Sequence, residues 1–159
     1  MVNHFNCSSY ELLEEESALK LPKLEISDAL KIGENAKLKA MNLNLPLAVE
    51  VRIGEWMIYH ASLPGSSIDN QLWLDRKARV VILKHHSTLF ERISANEKGI
   101  DWYLENNLNN DKYAIHGGGL PLITKDKGFA GVFLISGLPQ VEDHIFGVEV
   151  LKEYLFGKN

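Results

Sequence analysis

The chain has 159 residues, 45% of them hydrophobic and 24% charged, which suits one ordinary domain with a packed core and excludes a disordered chain. Its formal net charge of −4, with Arg76-Lys77 and Arg79 as the only dense basic group, argues against nucleic acid as a partner. Cys7 is the only cysteine, no apolar run is long enough to cross a bilayer, and no basic region followed by an apolar run opens the chain; a cytoplasmic protein without membrane contact is expected.

In chain order, Ser8-Ser9-Tyr10-Glu11 introduces a short helix over about Tyr10–Leu19, with Glu11, Glu14, Glu15 and Glu16 loading its early part. This glutamate run reads as a solvated face, because no histidine stands at ligand spacing beside it. Ser27-Asp28 can cap a second helix to about Met41, in which Ala29, Ile32, Ala36 and Ala40 share one face. Leu47, Val49, Val51 and Ile53 then alternate with Ala48, Glu50 and Arg52, the pattern of a half-buried strand. A turn at Gly54-Glu55 returns the chain as Trp56–Ala61, making a hairpin.

After the Leu63–Ser67 loop, Asp69 to about His85 reads as a long helix without a clean apolar stripe, so it is either wedged between other elements or uses some polar positions. Helix resumes over Thr88–Ile93 after a break at His86-Ser87, and Asn106–Asp111 is a polar loop. Strands are predicted near Tyr113–His116, Leu120–Thr124 and Gly128–Ser136. Pro139 opens the last helix at its first position, where Glu142 and Asp143 complement the dipole and Val141, Ile145, Val148, Leu151 and Leu155 form an apolar face. Hairpins outnumber βαβ units in this order, so the expected fold is a single α+β domain over residues 1–159 with an antiparallel sheet of about five strands.

Two glycine-rich breaks carry the functional signal: His116-Gly117-Gly118-Gly119-Leu120-Pro121 and Ser136-Gly137-Leu138-Pro139. Gly117–Gly119 permits close backbone approach, either to a ligand anion or at a sheet corner. It lacks a Walker ending and a dinucleotide spacing, and Ser136-Gly137 is not a G-x-S-x-G elbow. Arg76 and Lys77 can clamp carboxylates or pair with Glu50 or Asp69, and Trp73 supplies an apolar wall in either case. None of the six histidines has a metal-motif spacing, so no metal site is expected. Asp143-His144 is a candidate acid/base pair, although neighbours on a helix point apart and need different partners.

Taken together, Gly117-Gly118-Gly119-Leu120-Pro121-Leu122, Gly131, Ser136-Gly137-Leu138-Pro139 and Asp143-His144 resemble the C-terminal signature of the haem-degrading-domain family, the GlcG/HbpS-like group. Asp69-Asn70, Trp73 and Arg76-Lys77 resemble its uncharacterised UPF-type branch, and the likeness spans nearly the whole chain. The resemblance implies a profilin-like α+β fold with a five-stranded antiparallel sheet flanked by helices, and assembly into homo-oligomers, dimers or larger. It also implies haem as a possible cofactor. Haem-active relatives resemble Lys-Ala-x-Thr-Ala on the long helix, whereas this chain has Lys77-Ala78-Arg79-Val80-Val81, without the threonine.

The expected function is small-molecule binding by an oligomeric protein, with a carboxylated ligand, haem among the possibilities. The candidate ligand-binding residues are Asn70, Trp73, Arg76, Lys77, His116, Gly117, Gly118, Gly119 and Ser136. Two alternatives stand beside it: an enzyme using Asp143 and His144 as acid and base, and a non-catalytic homo-oligomeric interaction protein.

Overall fold

Both faces of the sheet are covered, and this is what sets the burial of every strand. The computed structural model describes residues 2–158. Its elements are a short 3-10 helix His4–Asn6, α1 Ser9–Ala18, α2 Ile26–Asn42, β1 Ala48–Ile53, β2 Trp56–Ser62, α3 Ile68–Lys84, α4 Thr88–Lys98, α5 Trp102–Asn106, β3 Gly119–Thr124, β4 Gly128–Ser136 and α6 Gln140–Phe156. The strands form one antiparallel sheet in the order β2-β1-β4-β3.

The architecture is the expected α+β type, but the sheet has four strands rather than five. The segment Tyr113–His116 is not a strand: it runs beside α3, where the Ala114 N–H donates to the Arg76 carbonyl. Its apolar residues are used elsewhere. Ile115 and Tyr113 pack with Val80, Ala95 and Trp102 in a satellite cluster under α4 and α5.

On one face of the sheet, Val49, Val51, Phe133 and Ile135 meet Ala29, Ile32, Ala36 and Ala40 of α2 and Val148 and Leu151 of α6. On the other face, Ala48, Val132 and Leu134 meet Leu74, Ala78 and Val81 of α3. Residues 132–135 of β4 therefore have no polar side, as in strands covered on both faces. β1 departs from the half-buried strand its alternation suggests: Glu50 is fully buried under α3, bonded to Arg52, His60 and Gln71. α3 is wedged between layers as expected, burying Lys77 beside Leu74, Ala78, Val80 and Val81.

The helix ends follow side-chain capping. Ser8 and Glu11 form a reciprocal box at α1, each N–H to side-chain oxygen distance being 3.1 Å. α2 begins earlier than the Ser27-Asp28 cap suggests, with Glu25 at the N-cap and its N–H held 2.8 Å from the Asp28 carboxylate. Asn70 does the same for Ser67 at the start of α3, at 2.9 Å. α4 runs past the expected end at Ile93 to Lys98, where Gly99 adopts a left-handed φ of 66°. Asp101 then caps α5, an element not foreseen, by accepting the N–H groups of Tyr103 and Leu104. Pro139 sits one place outside α6, at its N-cap rather than its first position.

Candidate ligand-binding cleft

α3 lies on one face of the sheet and α6 on the other, and one buried ion pair ties them together. The Lys77 ammonium of α3 donates to the Ile135 carbonyl at 2.8 Å and to the Asp143 carboxylate of α6 at 3.2 Å. The second Asp143 oxygen accepts the Leu138 N–H at 2.9 Å. Burial is the largest influence on both groups. It pushes the Asp143 carboxyl up to about 6, against the pull of Lys77, and it lowers Lys77.

The glycine run is what lets this pair meet. A Cβ on Gly118 would lie 2.4 Å from the Ile135 carbonyl oxygen, 2.7 Å from Lys77 Nζ and 2.9 Å from Asp143 Cβ, and Gly118 has a φ of 118°. Gly117 and Gly119 are just as tightly filled, against the Gln140 carbonyl and against Thr88 and Val81. Their N–H groups are already used, Gly117 donating to Gln140 Oε1 at 2.8 Å and Gly119 to Thr88 Oγ1 at 3.0 Å. Of the two roles open to these glycines from sequence, close packing at a sheet corner is the one the structure displays.

In front of the pair opens a cleft of about 300 Å³, lined by Asn70, Trp73, Lys77, His116, Ser136, Gly137, Leu138, Gln140 and Asp143. Trp73 forms a wall, with the His116 ring edge-on to it at 4.7 Å. Asn70 donates to the Ser136 hydroxyl at 3.1 Å, so the α3 capping residue also holds the end of β4. Burial, together with Arg92, Lys77 and Arg76, lowers the His116 pKa and favours the neutral ring, whose Nδ1 is buried without a hydrogen-bond partner. These groups can hold an acceptor-bearing small molecule: the serine hydroxyl and the imidazole are polar contacts, and the tryptophan is a flat apolar one.

Six of the residues singled out by sequence therefore share one cleft: Asn70, Trp73, Lys77, His116, Ser136 and Asp143. Two placements differ. Arg76 does not join Lys77 in a clamp: its guanidinium lies 4.3 Å over the Trp73 ring, donates to the Asn110 carbonyl and lines a separate groove with Asp69, Arg79 and Lys112. Neither cation pairs with Glu50 or Asp69. His144 turns away from the cleft, its Nε2 lying 3.0 Å from the Glu15 carboxylate of α1. Gly137 and Leu138 belong to the second glycine-rich break but are not among the candidate ligand-binding residues, and Gln140 is not singled out by sequence at all; its position at the start of α6 is the available signal.

Residues 24–152 match the model of a family described as haem degrading protein HbpS-like. The chain belongs to the HbpS-like family. It is 39% identical over 145 residues to a UPF0303 protein of Streptomyces avermitilis, covering 91% of this chain and 89% of that one. Among solved structures, the Ybr137w protein superposes with a TM-score of 0.86 at 20% identity, covering 95% of this chain and 90% of that one. The PduOC:heme complex superposes with a TM-score of 0.67 at 19% identity, covering 80% and 92%. At these identities the structural likeness establishes the fold, α+β with helices flanking an antiparallel sheet. No described helix of this HbpS-like chain is long and apolar enough to cross a membrane.

Proposed function

We propose that this HbpS-like protein binds a small polar molecule, carrying a carboxylate or carbonyl group, in the cleft between α3 and α6. One observation carries the reading: Asn70, His116 and Ser136, from three separate segments, converge beside the Trp73 wall over the buried Lys77–Asp143 pair. Buried ionisable groups with shifted pKa values at the floor of a cleft are a recurrent mark of binding and catalytic sites. Lys77 is paired with Asp143, so it attracts an anion less than a free lysine would, and neutral donors carry the recognition.

The family description and the haem bound in the PduOC structure raise haem as the ligand. The residues here do not fit an enclosed tetrapyrrole. The cleft, at about 300 Å³, stands at the bottom of the range for drug-sized ligands. Lys77 is committed to Asp143 and Ile135, and Val80, where haem-active relatives resemble a threonine, packs against Trp102 and Ile115 on the far side of α3. His116 is the one imidazole at the cleft, and its ring is packed on Trp73.

Native mass spectrometry of protein purified from its own host tests the proposal. A retained small molecule that disappears in Trp73→Ala and His116→Ala supports it. A saturable Soret shift on adding haem, abolished by His116→Ala, would replace it with the haem reading.

The profilin-like grouping and a homo-oligomeric state belong to the same proposal. β2 is an edge strand with Trp56 and Met57 exposed, and an unpaired edge with large apolar residues favours a covering partner. Sedimentation equilibrium tests this part; a monomer at micromolar concentration removes it. An enzyme using Asp143 and His144 on one substrate loses support, since Asp143 faces the cleft and His144 faces α1.

A further inference from the structure

The fold gathers a second group of ionisable side chains, on the side of α6 turned away from the cleft. His4 of the 3-10 helix, Glu15 of α1 and His144 of α6 are all buried, and one potential ligand atom from each lies within 4.8 Å of the others. His4 Nε2 is 2.7 Å from one Glu15 oxygen and His144 Nε2 is 3.0 Å from the other. The two rings stand 5.0 Å apart at 55°. Two neighbouring N-terminal elements and the distant α6 thus aim two imidazole nitrogens and a carboxylate at one point.

Both Glu15 oxygens are met by imidazole nitrogens, and the other ring nitrogen of His144, Nδ1, is buried without a hydrogen-bond partner. Among the described residues, no lysine or arginine pairs with Glu15. A buried carboxylate held by imidazole nitrogens, with no lysine or arginine beside it, is a donor set that a cation completes.

We infer that His4, Glu15 and His144 form a binding site for a divalent metal ion of the zinc type. Two imidazoles and one carboxylate are a ligand set that suits borderline first-row ions, Zn²⁺ foremost, and they are too nitrogen-rich for Ca²⁺ or Mg²⁺. Zn²⁺ is commonly four-coordinate, and three protein ligands leave a place for water. A groove of about 330 Å³ touches Glu15 from the surface, with Glu11, Glu14 and Lys152 also on its walls. Without the ion each Nε2–H donates to a Glu15 oxygen; coordination through Nε2 moves the proton of each ring to Nδ1, and the ion takes the place of the two hydrogen bonds to Glu15. The site is separate from the α3–α6 cleft, and the inference stands or falls independently of what the cleft binds.

The test is titration of chelator-treated full-length protein with Zn²⁺, and with Co²⁺ for its visible spectrum, alongside metal analysis of the protein as purified. One ion per chain is expected, with ligand-field bands for Co²⁺ and a rise in melting temperature on adding either ion. His4→Ala removes a ligand from a short terminal helix outside the sheet layers, so circular dichroism can verify that the fold survives. It should weaken binding beyond the roughly 10–100-fold that loss of an outer-shell partner costs, and it should shift the Co²⁺ bands. Glu15→Gln should do the same, and His60→Ala, at a partly exposed histidine on β2, should change neither. No saturable binding by the unaltered protein, or equal affinity in His4→Ala and the unaltered protein, overturns the inference.

Discussion

Lys77 and Asp143 meet 3.2 Å apart with only 2% of either residue exposed, one from each helix layer of the sheet. The ion pair is thus the joint between the two halves of the molecule, and Gly118 is the gap in the packing that admits it.

Removing one partner leaves a buried charge without its counterion. Lys77→Met and Asp143→Leu should each destabilise the protein by about 3–5 kcal/mol in urea unfolding. The double variant should lose less than the sum of the two, because both charges leave together. A double-mutant cycle measures the difference, and a coupling energy near zero would dissolve the pair as a structural joint.

Gly118→Ala should be more damaging than an ordinary glycine substitution. The left-handed backbone costs on the order of 1–3 kcal/mol, and the added carbon falls 2.4 Å from a backbone oxygen that cannot move freely. Thermal unfolding should show a drop of several degrees or failure to fold. Gly54→Ala, with a φ of 58° and nothing near its Cβ, should cost only the backbone strain.

The His4–Glu15–His144 cluster makes metal-free protein acid-sensitive. Glu15 has a folded pKa of about 2 against an ordinary 4.5, so the stability it contributes is present above pH 4.5 and is lost as the pH falls toward 2. The full effect is about 3 kcal/mol. His144, whose pKa is lowered from 6.5 in the fold, works in the same direction: the unfolded chain gains a proton first as the pH falls below 6.5. Asp143 opposes both. Its raised folded value near 6 means the folded state holds the proton more tightly, so its contribution shrinks as the pH rises from about 4 to 6. Glu15→Gln should flatten the acid limb of a stability–pH curve below pH 4.5, and an unchanged limb would separate the cluster from acid unfolding.

Arg76 lines a different groove from Lys77 and reaches the cleft only through its stacking on Trp73, so Arg76→Ala should reduce ligand retention less than Trp73→Ala does. Ser136→Ala, which removes a hydroxyl from the cleft itself, should reduce retention. Isothermal titration with the molecule recovered from purified protein checks both, and the reverse ranking would move the binding site to the Arg76 groove.

Much of the fold is legible in local patterns. The helical period places α2 and α6, the Gly54-Glu55 turn places the β1–β2 hairpin, and the Asp126–Gly128 turn places the β3–β4 hairpin. Tyr113–His116 misled because a short run of aromatic and β-branched residues looks alike whether it joins a sheet or packs on a helix. Asn70, Trp73, Lys77, His116, Ser136 and Asp143 were also nominated from sequence as site residues. Their division into a cleft wall, a buried pair and an Asn70–Ser136 bond was not, since it depends on which way each side chain turns.

The chain by itself determined its α+β class, its family and the segments that matter, because periodicity, turn residues and motif spacing are local properties that survive without coordinates. Only the tertiary structure decided that the sheet stops at four strands and that Arg76 and Lys77 part company. It alone revealed that His4, Glu15 and His144 come together. Each of those outcomes rests on contacts between residues distant in sequence, such as the 129 positions separating Glu15 from His144. Chain closure over such distances is set by packing and burial, and no local pattern encodes it.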